Sequence, residues 1–518
     1  MLTHRLFGFL SSMGLLCAIP ICQAQKTDPK FRPVIPKMWD DGEIAKLELP
    51  LANPAGSPKH VSSDYYYRIP VRPIHKQYAV YPYGAGPAGY FEWLRQQEPE
   101  IVWGEDQDGR KHAPPLETEA DWIKAGEMVF DSVLGSIPLI DQFHTGLRDY
   151  LAKSGIPLAK GDMLPFAHFV IREKGKLEIG GGSCGECHTR VMPDGTILKG
   201  AQGNEPGDRK FAVDLRLGFR GPVEAARSFE RALYAGLWQR PDPLARVGEM
   251  SIEELASLHD GIPPGVFARH RASPFYPIQV PDLIGVKDLR YLDRTGLQLH
   301  RSVADLMRYA ALNQGVDSLA NFNGFIPFGG PNYDKLPQPD KLPMPLQRYS
   351  DEQLYALALF LYSLQPPPNP NPFNATASRG KQVFEREGCG TCHTPPLYTN
   401  NKLLPASGFK VPEDHLKKYD ILQVSIGTDP NLTMNTRRGT GYYKVPSLRG
   451  VWNRNMFEHS GSVATLEDWF DPKRLREDYV PTGFRGYNVK TRAVPGHEFG
   501  LKLSVEDKSA LIAYLKTL

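Results

Sequence analysis

Two pentapeptides, Cys184-Gly185-Glu186-Cys187-His188 and Cys389-Gly390-Thr391-Cys392-His393, constrain this 518-residue chain more than any other feature of it. On a helical turn residues i, i+3 and i+4 share a face. Two thiols three apart therefore add to the two vinyl groups of one porphyrin while the next residue reaches the iron. The pattern reads as covalent attachment of two c-type haems, through Cys184 and Cys187 and through Cys389 and Cys392, with His188 and His393 as proximal iron ligands. A structural zinc site built from the two cysteine pairs, and a thioredoxin-like redox pair, are the competing readings. Neither needs a histidine directly after both second cysteines. Histidine is 14 of 518 residues, so both neighbours arise by accident in under roughly one case in a thousand.

The compartment suits that chemistry. His4 and Arg5 precede the apolar stretch from Leu6 to Ile21, and small and polar residues follow, which predicts a secretory signal peptide over 1–24 and a periplasmic or secreted protein. An anchor on Cys17 or Cys22 is the alternative, but Leu16 and Ile21 are bulky where lipoprotein processing prefers small residues. No later segment reaches the about 20 apolar residues of a membrane span. The mature chain keeps four of six cysteines, all in the two motifs, and none for a disulfide. A net charge of +3, with no lysine-rich run, gives no footprint for nucleic acid.

Residues 25–116 are rich in Pro, Gly and Tyr and read as an extended arm whose aromatic side chains anchor it to the rest of the protein. Beyond the arm the chain repeats itself. Gly126, Val129 and Phe130 match Gly380, Val383 and Phe384. Val280-Pro281-Asp282-Leu283 matches Val445-Pro446-Ser447-Leu448, which sets Gly296 against Gly461, and the Ser-led amphipathic segments from Ser350 and Ser504 also match. The expected fold is mainly α. Two cytochrome c-like haem domains from an internal duplication, 117–365 with insertions and 377–518, flank a proline-rich linker over 366–376, with long loops and the amino-terminal arm.

Function turns on the other face of each iron, since a closed site moves electrons and an open one binds peroxide or dioxygen. For the second haem the candidates are His497, Met434, Met456 and His459. His497, in a loop just before the closing segment, is the favoured distal ligand and the two methionines are its alternatives. For the first, Met192 is too close to His188 to span a porphyrin, and His144, His168, His259, His270 and His300 are scattered. The repeat sets Arg294 opposite His459. Arg294, with His300 among the later histidines, is expected on the distal side of an open or weakly closed first haem, where an arginine aids O–O cleavage or pairs with a propionate or lies at the surface.

Both haem motifs, the segment from Tyr442 to Phe470 and the string Gly496-His497-Glu498-Phe499-Gly500 resemble the bacterial di-haem cytochrome c peroxidase superfamily. That group includes the enzyme that matures methylamine dehydrogenase and the rubber oxygenases, and the Gly-His-Glu-Phe-Gly string is most similar to the last. The resemblance covers roughly 117–518. It implies an oxidoreductase in which the first haem meets peroxide or dioxygen and the second is a six-coordinate relay, with His497 as its distal ligand. It also implies a small redox protein as electron donor or acceptor and, in some relatives, a calcium ion between the halves. The family's inter-haem tryptophan falls on Arg294 here, so the relay is not transferable; Trp238, Trp452 and Trp469 are the available substitutes. A periplasmic electron-transfer cytochrome without catalysis of its own is the competing function.

Overall fold

The computed structural model describes residues 30–518 apart from 83–85, 139–140, 237–238, 240–241, 243, 269–271, 314–318 and 328–346. The expected signal segment, Trp238 and His270 lie outside the described residues.

Two helix pairs hold the site. Glu119–Asp131 packs on Asp351–Ser363, and Ala375–Arg386 packs on Val505–Lys516. Each helix starts at a polar cap. Thr118 and Ser350 form reciprocal capping boxes with Asp121 and Gln353, while Asn374 and Ser504 accept from the backbone N–H of Ala377 and Asp507. The pairs touch in the same way. A Cβ on Gly126 would overlap the carbonyl oxygen of Ala356, and one on Gly380 that of Ala510, so glycine is what lets the backbones meet. One helical turn on, Phe130 meets Phe360 at 5.2 Å and Phe384 meets Tyr514 at 5.5 Å. Between the pairs, residues 364–373 form no regular element, and Asn369 donates to the carbonyl of Lys516 at 2.9 Å.

The long stretch between Phe130 and Cys184 forms most of a four-stranded antiparallel sheet, ordered Gln77–Val80, Leu164–Glu173, Lys176–Gly181, Gly135–Pro138. Its last segment delivers the chain to Ser183, which caps the short helix Cys184–His188 by accepting from Glu186 N–H. This sheet and several two-stranded pairs accompany the helices.

The arm departs from an extended chain. Ser62 accepts from Tyr65 N–H and starts the helix Ser63–Arg68, another helix runs Asp41–Leu47, and Gln77–Val80 is an edge of the sheet. Its aromatic side chains do anchor it: Trp39 stacks on Tyr66 at 4.7 Å, both buried, and Tyr67 donates to Asp351 at 3.1 Å. Local polar caps and aromatic burial fold the tyrosine run where proline content suggests extension. Among the described residues no helix is long and apolar enough to cross a membrane.

Candidate functional site

Each Cys-x-x-Cys-His motif opens onto its own cavity. The second is lined by Cys389, Cys392, His393 and, from other elements, Val445, Leu448, Leu466, Trp469, Phe470, His497 and Leu511. His393 donates from Nδ1 to the carbonyl of Tyr398 at 3.1 Å, which leaves Nε2 as its lone-pair nitrogen. Across the cavity stands His497, its ring centroid 6.3 Å from that of His393. That spacing accommodates one metal ion with two imidazole bonds of about 2.0–2.1 Å once the ring radii are allowed for. His497 Nδ1 is buried without a hydrogen-bond partner. Burial first, then His393 and Arg474, push its pKa down to about 3, so the ring is neutral and ligand-competent.

The loop that presents His497 is held by its backbone. His497 has φ of +48°, its N–H donates to Ile426, and its carbonyl accepts from Arg474 at 2.8 Å. Gly496, at φ +84°, lies against Gly427 and Thr428, where a Cβ would meet Thr428 N at 2.7 Å. The ring packs between Trp469 and Phe499, each at 5.3 Å. Met434 and Met456 do not line the cavity among the described residues. Their carbonyls take Gln239 and Gln279 as partners, and Met456 packs on a separate apolar cluster. His459 does line it, stacked on Tyr443 at 4.4 Å and paired with Glu458. Burial would raise the Glu458 pKa, but His459 and Ser460 hold it at about 2.

The first cavity differs. Cys184, Cys187 and His188 face aliphatic walls from Leu283, Val286, Leu289, Leu306, Leu357 and Leu361, and no second histidine or methionine lines it among the described residues. Its polar groups are Ser183, Asp282, Asp293, Tyr309, Asn313 and Lys444. Tyr309 donates to Asp293 at 2.7 Å, and Asp293 sits at φ +70°, a costly conformation for a non-glycine residue.

The two residues expected on the distal side of this cavity lie elsewhere. Arg294 lines the second cavity, because its carbonyl accepts from Lys444 N–H at 2.9 Å and this bond fixes the turn against the strand Tyr442–Lys444. His300 stands behind the wall, with Nδ1 donating to the carbonyl of Leu289 at 2.7 Å and Nε2 accepting from Tyr362 at 2.6 Å, so both ring nitrogens are engaged. His168 is half-buried in the sheet strand Leu164–Glu173, outside the cavity lining, and the His144 side chain lies outside what the structure describes. Trp469 flanks His497 rather than bridging the cavities, and Trp452 lines neither among the described residues.

His259 is consumed by an ion-pair triad, Nδ1 to Asp208 at 2.7 Å and Nε2 to Glu230 at 3.1 Å, all buried. Burial disfavours its charge, but the two carboxylates raise its pKa to about 10, above the about 6.5 of an unfolded histidine. Its stabilising contribution is therefore complete below about pH 6.5 and is lost as pH rises through about 10. Urea unfolding should show His259→Gln closing part of its stability gap to the wild type between pH 7 and pH 10. A gap independent of pH would rule out the charged triad.

Three residues that matter to these cavities have little or no signature in the sequence: Tyr309, Arg474 and Lys444. Only Lys444 leaves a signal. It directly precedes the repeated Val-Pro-x-Leu segment, where the first copy carries the neutral Gln279.

No protein-family model matches the chain, and no curated protein matches its sequence. Solved structures do. Hydrazine synthase of Kuenenia stuttgartiensis, in a xenon-pressurised crystal, is 15% identical with a TM-score of 0.29, over 58% of this chain and 91% of that one. A MauG-like protein associated with microbial copper homeostasis is 16% identical with a TM-score of 0.22, over 32% and 56%. Both likenesses are partial.

Proposed function

We propose that the chain is a secreted or periplasmic di-haem c-type oxidoreductase, with an oxidant site at His188 and an electron relay at His393 and His497. The asymmetry of the two cavities carries this reading. One holds two histidines facing each other across a gap of one metal ion, and the other has one histidine and a few polar groups among aliphatic walls. Cys184, Cys187 and His188 would hold a haem here, which would supply an iron able to exchange electrons and react with peroxide or dioxygen. The residues around that face do the rest. Tyr309 and Asp293 hold one proton between two oxygens, Asn313 adds an amide donor, and the leucine walls keep bulk water out. The relay half is closed by His497, and a small redox protein is the matching donor or acceptor. A peroxidase fits this division best. The Gly-His-Glu-Phe-Gly likeness to rubber oxygenases leaves a polymer-cleaving oxygenase as the second member of the same class.

Electron paramagnetic resonance of the oxidised holoprotein tests this. One high-spin and one low-spin haem are expected, and hydrogen peroxide should change the high-spin signal first. Two low-spin signals, with no response to peroxide or, after reduction, to carbon monoxide, would instead make the protein an electron carrier without catalysis of its own.

A further inference from the structure

Between the two cavities lies a group of charges in which the half-buried Lys444 and Arg294 stand near Arg454, Asp282, Asp293 and Glu458 without forming an ion pair with any of the carboxylates. Lys444 lines both cavities and Arg294 lines the second. Asp282 is already taken by Arg454, in a 3.0 Å ion pair with both side chains nearly inaccessible, and Asp293 is engaged by Tyr309. Among the described residues no carboxylate lies within ion-pair distance of Lys444 or Arg294. The Lys444 ammonium reaches only the carbonyl of Tyr291, at 3.3 Å, and the Arg294 guanidinium reaches the carbonyls of Gln279 and Val280, each at 3.5 Å. Three long contacts to neutral oxygens are poor compensation for two half-buried cations lining apolar cavities, because taking such charges out of water is costly unless an anion pairs with them directly. Their acidity agrees: burial first, then the neighbouring cations, push Lys444 down to about 7 and Arg294 to about 10, although Asp293 favours the charged form of both and Asp282 and Glu458 that of Arg294.

The missing anions have a natural source, given the di-haem function proposed above, on which this inference rests. A porphyrin tied to cysteines through its vinyl groups carries two carboxylates on the opposite edge. We propose that Lys444 and Arg294 are the propionate anchors of the two haems, with Lys444 holding one carboxylate from each and so joining the haems through a single ammonium group. Arg294 then serves the second haem alone. This gives a role to the arginine that stands where the sequence resemblance leads one to expect a tryptophan relay. It also explains a lysine at the position where the first copy of the repeat has Gln279, which faces the second cavity only.

Spectropotentiometric titration of the full-length holoprotein tests the bridge, reading each haem by its own spectrum and without any oxidant. Removing a cation beside a haem favours its oxidised, more positive state. In Lys444→Met the ratio of reduced to oxidised haem at fixed potential should fall about tenfold for both haems, which is about 59 mV for a one-electron couple. Lys444→Arg should keep both potentials close to wild type, and Arg294→Gln should lower only the second. The exposed control Lys490→Met should change neither. A shift confined to one haem in Lys444→Met overturns the bridge, and no shift in either overturns the anchoring. If Lys444→Met fails to retain both haems, Lys444→Gln and Arg294→Gln take its place. A Lys444→Gln shift in one haem then overturns the bridge, and no shift in either variant overturns the anchoring. These potentials are independent of peroxide reactivity. A protein with two closed haems would contradict the proposed oxidant site and still show the paired shift.

Discussion

Replacing His497 by alanine should convert one of the two haem signals almost wholly from low-spin to high-spin and leave the other as it was. The expectation follows from what lines the second cavity. His497 is the ring that faces His393, at 6.3 Å between centroids, and neither Met434 nor Met456 lines the cavity among the described residues, so neither is in place to substitute. His459 is stacked on Tyr443 and paired with Glu458, and moving it to the iron would break both contacts and leave the Glu458 carboxylate held by Ser460 alone. Imidazole added to His497→Ala should restore the low-spin signal, since the alanine vacates a pocket already shaped by Trp469 and Phe499. The measurement is the electronic and electron paramagnetic resonance spectrum of the oxidised variant, with and without imidazole. A low-spin spectrum unchanged by the substitution would remove His497 from the iron and return Met434 and Met456 to consideration.

Why some of these residues are legible in the sequence and others are not is a matter of range. The cysteines and histidines of each motif act within one turn, so their spacing carries the whole message. The paired glycines at 126 and 380 are visible as a repeat, and the structure shows each meeting a helix carbonyl where any side chain would collide. Arg294 is placed by repeat alignment alone, which assumes that each half folds back on itself. A backbone bond from Lys444 to Arg294 crosses between the halves and carries the arginine to the other cavity. A single exchanged hydrogen bond of that kind has no local sequence signature. The arm illustrates the opposite error, in which composition outweighs a specific signal. Pro and Gly content suggests extension, while Ser62 ahead of Asp64-Tyr65-Tyr66-Tyr67 is an ordinary helix start.

Arg474 is where the distal loop should fail most severely. Its side chain is wholly inaccessible and lies 4.7 Å over Trp469. Its guanidinium donates to three carbonyls: Trp469 at 2.9 Å, Val494 at 2.6 Å and His497 at 2.8 Å. It thus ties one aromatic flank and the backbone of the proposed ligand into one unit. In Arg474→Met much of the apolar stem is kept and the donors are lost, leaving up to three buried carbonyls unsatisfied at about 1–3 kcal/mol each. Because such losses are not additive, a destabilisation of roughly 3–5 kcal/mol is expected by denaturant unfolding. Function should suffer before unfolding does. With its carbonyl released, His497 can leave the αL conformation it holds at φ +48°, and the second haem should become a mixture of low- and high-spin forms. Arg474→Lys retains the charge but cannot span three acceptors with one compact ammonium, so it should fall between the wild type and Arg474→Met in both readouts. A variant that lost stability while its second haem stayed fully low-spin would separate the two roles and show that Trp469 and Phe499 suffice to position the ring.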